Sequence, residues 1–165
     1  MTVVTERTFR QLHEPGNPFI LANAWDVGSA RVLASLGAEA IGTSSAAHAF
    51  TLGLPDMGHV NRAQALEHAS SVVAGVNVPV SGDLENGYGH TGDDVTQTVT
   101  QAAEIGLAGC SIEDTALPDS TPYPRAEAVA RIEAAVAAAR SLPNDFVLVA
   151  RADGVMHAHY DVDEA

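Results

Sequence analysis

Lysine is absent from this 165-residue chain: its 8 basic residues are all arginine, and they face 21 acidic ones, for a formal charge of −13. Without an amine, these residues exclude a Schiff-base aldolase, a pyridoxal enzyme and a lysine-bearing phosphate loop. The shortage of positive charge argues against nucleic acid or an anionic membrane as the main partner, because an acidic surface repels phosphate. The one cysteine, Cys110, has no partner for an intrachain disulfide. No apolar run approaches the ~20 residues that span a bilayer, and no basic then apolar leader precedes Phe19. The cytoplasm is the expected setting.

What the chain does carry is a regular alternation. Five short apolar runs, 19–23, 40–43, 78–83, 107–112 and 146–150, alternate with longer helical patterns at the spacing of βα units. Each run is apolar on both faces, as a parallel strand covered by helices must be. Gly37 follows the 27–36 pattern and Gly106 the 95–105 pattern, where a C-cap glycine sits, and Asp93 or Asp94 is placed to cap the second helix. Residues 125–140 are alanine-rich, with Val129, Ile132, Val136 and Ala139 at helical spacing. Residues 36–42 and 105–111 echo each other as helix, glycine and strand.

Polar groups end nearly all five runs, which favours a (β/α)8 barrel of the TIM type over a doubly wound sheet. A nucleotide site of the latter kind needs a glycine-rich turn after an early strand. A full barrel takes about 250 residues. The chain is therefore expected to hold about the first five βα units, as one C-terminally incomplete domain over 1–165, with 161–165 opening a sixth helix. Five parallel strands leave two unpaired edges, so association with a partner or with further sequence is expected.

The chemistry concentrates at the outgoing ends of the strands. Residues 81–89 read Ser-Gly-Asp-Leu-Glu-Asn-Gly-Tyr-Gly. On a continuing strand Asp83 and Glu85 would share a face, about 6 to 7 Å apart, and could share a hydrated divalent cation that prefers oxygen ligands. Glu113 and Asp114 close the fourth run, and Arg151 and Asp153 the fifth.

In order, Asn23-Ala24-Trp25-Asp26, Thr43-Ser44-Ser45, Leu52-Gly53-Leu54-Pro55-Asp56, residues 83–89, Ser111-Ile112-Glu113-Asp114 and Ala150-Arg151-Ala152-Asp153 resemble the motifs of the isocitrate lyase and phosphoenolpyruvate mutase superfamily. The resemblance runs from about Phe9 onward. It implies an oligomeric (β/α)8 barrel that binds magnesium, with manganese as the alternative ion, and a small 2-oxo or oxalate-like acid. It also implies that a carbon–carbon or carbon–phosphorus bond is made or broken beside an enolate. Carried over, Asp83 matches the closest metal ligand, Glu85 a second acid acting directly or through water, and Glu113 the acid completing the metal shell. Asp56 matches an acid of the second loop that approaches the same ion, and Arg151 the arginine that grips the substrate carboxylate. Thr43, Ser44 and Ser45 match an oxygen-binding strand end.

The loop after Glu113 departs from the succinate-forming members. Residues 115–124 contain no lysine, cysteine or histidine, and Cys110, inside a strand, reads as a small buried hydrophobe. Isocitrate and 2-methylisocitrate are therefore expected to be poor substrates, and oxaloacetate-like or phosphonopyruvate-like acids good ones. The alternative is a catalytically silent member that binds metal and oxo acid. Trp25 reads as a pocket floor or as barrel packing, and Asp114 as a partner of the site or as a helix N-terminal charge. His48, His59 and His68 read as packing or surface residues. His90 is a candidate proton carrier on the third loop, and His157 and His159 belong to the fifth loop or to the surface.

Overall fold

The computed structural model describes residues 7–165. In chain order it forms α1 (Phe9–Leu12), β1 (Ala22–Asn23), α2 (Val27–Ser35), β2 (Ile41–Gly42), α3 (Ser45–Thr51), α4 (Arg62–Gly75), β3 (Val80–Asp83), α5 (Gly92–Glu104), β4 (Gly109–Glu113), β5 (Thr115–Ala116), β6 (Thr121–Pro122), α6 (Arg125–Ser141) and β7 (Val147–Arg151), followed by a 3₁₀ turn at Asp153–Val155. Five strands make one all-parallel sheet in the order β1-β2-β3-β4-β7, and β5 and β6 form a small antiparallel hairpin beside it. This is the mixed α/β architecture of a partial (β/α) barrel.

All five strand runs appear, but most shift toward their outgoing ends. Residues 19–21 lie outside β1, with Ile20 83% exposed. β1 is an edge strand and pairs only where β2 runs beside it. Buried Ile41, Val80, Leu107, Cys110 and Ile112 on or beside the strands meet Leu66, Val72, Val95 and Val99 from the helices. Burial pushes the Cys110 thiol up to about 12, so it is inert, as a core cysteine should be. At the incoming ends, Phe9 and Leu12 of α1 pack with Ala40 and Val147. A Cβ at Gly109 would run into the Val147 carbonyl and the Phe9 ring.

The helix ends refine the expectations. Gly37 and Gly106 do take left-handed backbone, at φ 98° and 90°, where a Cβ would be strained. The cap of α5, however, is Thr91 rather than Asp93 or Asp94. Its backbone is extended and its hydroxyl accepts from the Asp94 N–H, while the Asp94 carboxylate reaches back to the Thr91 N–H at 2.9 Å. Asp94 is thus the far half of a capping box. On α6 the buried stripe is Arg131, Ala135 and Ala138, while Val129 is exposed, because the helix lies close against α5 and presents small residues there. Residues 161–165 form a turn closed by the Asp161 carboxylate on the N–H groups of Asp163 and Glu164, not the opening of a helix.

Candidate active site

The outgoing ends of β2, β3, β4 and β7 bring the site together. β3 stops at Asp83. The Asp83 N–H donates to the Thr43 hydroxyl at 2.9 Å, which locks the end of β2 to the end of β3. One carboxylate oxygen of Asp83 accepts from both the N–H and the hydroxyl of Ser45, at 2.9 and 2.8 Å, and the other from the Arg151 guanidinium at 2.8 Å. Ser44 does not face the acids. Its hydroxyl caps α3 on the Ala47 N–H, because a helix that begins at Ser45 leaves orphan N–H groups for the preceding residue to satisfy.

Glu85 is not on the strand face of Asp83. Its backbone is left-handed, at φ 47°, which turns the chain after β3 and breaks the two-residue period. A non-glycine residue there costs on the order of 1 kcal/mol. The turn is held by the Glu113 N–H on the Glu85 carbonyl at 2.9 Å and by the Gly58 N–H on the Glu85 carboxylate at 3.1 Å. The second carboxylate oxygen of Glu85 is buried without a partner.

Arg151, at the end of β7, sits among carboxylates. Asp153 accepts from two of its nitrogens, Asp83 takes a third N–H, and Glu113 lies 3.6 Å away. Burial alone would lower the Arg151 pKa, but Asp83, Asp153 and Glu113 outweigh it and hold the guanidinium charged. Asp114 accepts from the N–H groups of Asp153 and Gly154, at 2.9 and 3.2 Å, and from the Tyr160 hydroxyl. It anchors the turn that carries Asp153 rather than acting as a helix N-terminal charge. Glu113 accepts from the fully buried Thr115 hydroxyl at 2.8 Å.

These groups enclose a cleft of about 80 Å³ lined by Ser45, Asp56, Glu85, Glu113, Arg151 and Asp153, with His157 beside them. Burial first, then the nearby charges of Asp83 and Asp56, push Glu85 to about 7 against the pull of the Gly58 N–H. Burial likewise pushes Glu113 to about 8, with Thr115 and Arg151 opposing.

The expected trio of Asp83, Glu85 and Glu113 reaches one end of the sheet but not one coordination sphere. Among the described residues no three His, Cys, Asp or Glu side chains stand close enough to hold a metal ion. The physical reason is the Arg151 guanidinium, which bonds Asp83 and lies against Glu113. The donor chemistry nevertheless fits a hard divalent cation. Glu85 keeps a buried oxygen without a partner and no cationic side chain bonds it, and magnesium needs only one or two direct carboxylates because it keeps several waters.

Trp25 does not floor this cleft. It is 54% exposed and lies against Phe50, with ring centroids 6.4 Å apart, since the chain leaves β1 directly into the Asp26 cap of α2. His48 and His68 stack with centroids 4.1 Å apart, in line with packing roles, and His59 bonds the Asp56 carbonyl. Asp153 was the strongest signal outside the expected set. It stands two residues beyond Arg151 in a quoted motif, yet its grip on Arg151 depends on a turn the pattern does not reveal.

Among the described residues no helix is long and apolar enough to cross a membrane. The family model for phosphoenolpyruvate phosphomutase matches residues 9–165. Oxaloacetate decarboxylase 1 of Pseudomonas fluorescens (strain Pf0-1) is 32% identical over 152 residues, 88% of this chain and 52% of that protein. A solved structure from Burkholderia cenocepacia J2315 superposes with a TM-score of 0.91 at 44% identity, covering 96% of this chain and 57% of that one. Oxaloacetate acetylhydrolase in complex with its product oxalate superposes with a TM-score of 0.78 at 31% identity, covering 86% of this chain and 50% of that one. The chain spans about half the length of the curated relatives it matches, or less. A match along nearly all of the described fold, with acids and an arginine gathered where its strands end, places the chain in the phosphoenolpyruvate phosphomutase family, within the phosphoenolpyruvate mutase and isocitrate lyase superfamily.

Proposed function

We propose that this chain forms the metal and oxo-acid end of a lyase or mutase that cleaves or rearranges a carbon–carbon or carbon–phosphorus bond beside the carbonyl of a small 2-oxo acid. The observation that carries the reading is Arg151, held by Asp153 with its remaining N–H groups turned to Asp83 and Glu113, above a cleft whose Glu85 keeps a bare buried oxygen. Lyase chemistry on oxaloacetate in the Pseudomonas relative supports the same substrate class.

Asp83, Glu85 and Glu113 would hold magnesium, which when bound would supply Lewis acidity to the carbonyl beside the breaking bond. Arg151 exchanges its contact with Asp83 for the substrate carboxylate and clamps it in one plane, while Asp153 fixes the guanidinium from behind. Thr43 and Ser45 set the position of Asp83. Glu113, pushed up to about 8 chiefly by burial, holds or releases a proton at its carboxyl oxygen. Asp56 lines the same cleft from the second loop and adds negative charge that favours a cation.

The test is an assay of the intact polypeptide with magnesium against oxaloacetate, phosphonopyruvate, isocitrate and 2-methylisocitrate. Turnover of the first two, abolished by a chelator and by Asp83→Ala, is expected. Efficient release of glyoxylate or pyruvate with succinate from the latter two would overturn the assignment of reaction type. Magnesium-dependent oxalate binding without turnover of any acid would leave a binding protein in place of an enzyme.

A further inference from the structure

The turn that follows β7 is tied to the end of β4 through one carboxylate. Asp114, the residue after β4, is fixed by its own backbone, since its carbonyl accepts the Tyr123 N–H at 2.9 Å. One oxygen of its carboxylate accepts the N–H groups of Asp153 and Gly154, at 2.9 and 3.2 Å, and the other accepts the Tyr160 hydroxyl. Asp153 in turn gives both of its oxygens to Arg151, one to the Nε–H at 3.1 Å and the other to a terminal nitrogen. The remaining terminal nitrogen donates to Asp83 at 2.8 Å. A single path therefore runs from Tyr160 through Asp114 and Asp153 to Arg151.

Tyr160 is brought onto Asp114 by a short return of the chain. The N–H groups of Met156 and His157 close on the Asp153 carbonyl, at 2.9 and 3.3 Å, and that of His159 on the Gly154 carbonyl at 2.9 Å. The Tyr160 ring then lies on Gly154, where a Cβ would run into it, so the close approach needs glycine. Burial first, then the bond to Asp114 and its charge, pushes the Tyr160 phenol up to about 12, so it stays a donor. Neither Asp114 nor Tyr160 lines the acidic cleft. Both line a separate hollow.

We infer that Asp114 and Tyr160 are positioning residues for the substrate clamp: acting through the backbone of Asp153, they set the plane of the Arg151 guanidinium and with it the affinity for the oxo-acid carboxylate. The affinity rests on the reading of Arg151 as the clamp in the cleft; the orientation does not. A guanidinium holds a carboxylate by two parallel N–H bonds only when the two planes match, so an Asp153 free to swing loses affinity although every group that touches the substrate is still present.

Two readouts on the intact polypeptide keep the clamp and the substrate apart. Without ligand, exchange of the Arg151 Nε–H with solvent is followed by proton–nitrogen NMR, the signal being assigned by its loss in Arg151→Lys. Exchange is expected to be at least about threefold faster in Tyr160→Phe, which keeps the ring on Gly154 and removes only the hydroxyl, and faster still in Asp114→Ala. With magnesium, oxalate should bind Tyr160→Phe about three- to tenfold more weakly, and KM for oxaloacetate should rise by a similar factor with kcat within about twofold. Gly109→Ala, which loses stability at the incoming end of β4, should change none of these, so a merely structural effect is recognised. Where Asp114→Ala fails to fold, Tyr160→Phe decides. Wild-type exchange in Tyr160→Phe would overturn the inference, and so would faster exchange with oxalate affinity unchanged. Failure of the wild type to bind oxalate with magnesium would overturn the reading of the cleft, while the exchange rates would still decide whether the pair orients Arg151.

Discussion

The two buried glutamates give the protein an unusual dependence of stability on pH. Glu85 and Glu113 are 4% and 7% exposed, and their carboxyls are pushed from 4.5 to about 7 and about 8, mainly by burial. Between pH 4.5 and those values the folded chain keeps protons that the unfolded chain has released. The unfolded state then binds fewer protons, so unfolding free energy falls as pH rises. One pKa unit is worth about 1.4 kcal/mol. Glu85 and Glu113 both interact with Asp83 and so do not simply add, and the expected loss between pH 5 and 8.5 is on the order of 3 kcal/mol. Substituting Glu113→Gln keeps the shape and the Thr115 contact but removes the titration, and should remove more than half of that slope.

Urea unfolding at a series of pH values, in a chelator, measures this directly through the midpoint, with the slope of the transition checked for constancy. Magnesium should then stabilise the protein more at pH 8 than at pH 5, because the ion competes with protons for the same oxygens. A stability that is flat or rising from pH 5 to 8.5 in the chelator would refute the reasoning. So would a wild-type slope that survives intact in Glu113→Gln.

Other expectations follow from single contacts. His48 and His68 are both lowered, chiefly by burial, so they are harder to protonate folded than unfolded and oppose the glutamate trend below about pH 6.5; His68→Gln should therefore steepen the net gain in stability from pH 6.5 to 5 in the same urea series. Thr98→Val removes the buried hydroxyl bond to the Gly87 carbonyl, 2.7 Å long, and should cost about 1 to 3 kcal/mol in chemical denaturation. Gly109→Ala places a methyl against the Val147 carbonyl and the Phe9 ring and should lower stability by about 1 to 3 kcal/mol. Asp153→Asn leaves Arg151 in place with a weaker hold, so KM for the oxo acid should rise about tenfold with a smaller change in kcat.

Much of this was legible before any coordinates. The apolar runs gave the five strands of the parallel sheet, because strands covered on both faces read as continuous hydrophobic stretches, but not the antiparallel hairpin of β5 and β6, whose two-residue strands carry no such run. Their outgoing ends were legible because that is where the charge begins, and Asp83, Glu113 and Arg151 stand there. Two signals were present and outweighed. Thr91-Gly92-Asp93-Asp94 carries the spacing of a capping box, which places the cap at Thr91 and not at either aspartate. Asn86-Gly87 after Glu85 is a turn dipeptide, and it warned that β3 could not continue. Trp25 and Ser44 stand at helix starts, Trp25 just before the Asp26 cap of α2 and Ser44 as the cap of α3, a local role that a strand-end reading does not anticipate.

What no local pattern carried is the set of contacts that closes over long stretches of chain. Arg151 meets Asp83 across 68 residues, the Asp153 N–H meets Asp114 across 39, and His90 meets Tyr123 across 33. Each joins the ends of different βα units, and sequence periodicity says only that those ends lie on one side of the sheet. The consequence for the site is electrostatic. Asp83, Glu113 and Asp153 share the one guanidinium of Arg151, and Asp56 and Glu85 line the same cleft, so acids there outnumber the cation, and burial together with the neighbouring acids raises the carboxyl pKa values of Glu85 and Glu113. A chain without lysine has few ways to neutralise that charge from its own residues, and a hard divalent cation relieves it while leaving Arg151 for the substrate. The same imbalance that lowers stability at alkaline pH is therefore what makes metal binding favourable, and removing one acid by Glu85→Gln should stabilise the metal-free protein while weakening its affinity for magnesium. A Glu85→Gln variant that lost stability in the chelator and kept its magnesium affinity would separate the two effects and break the link.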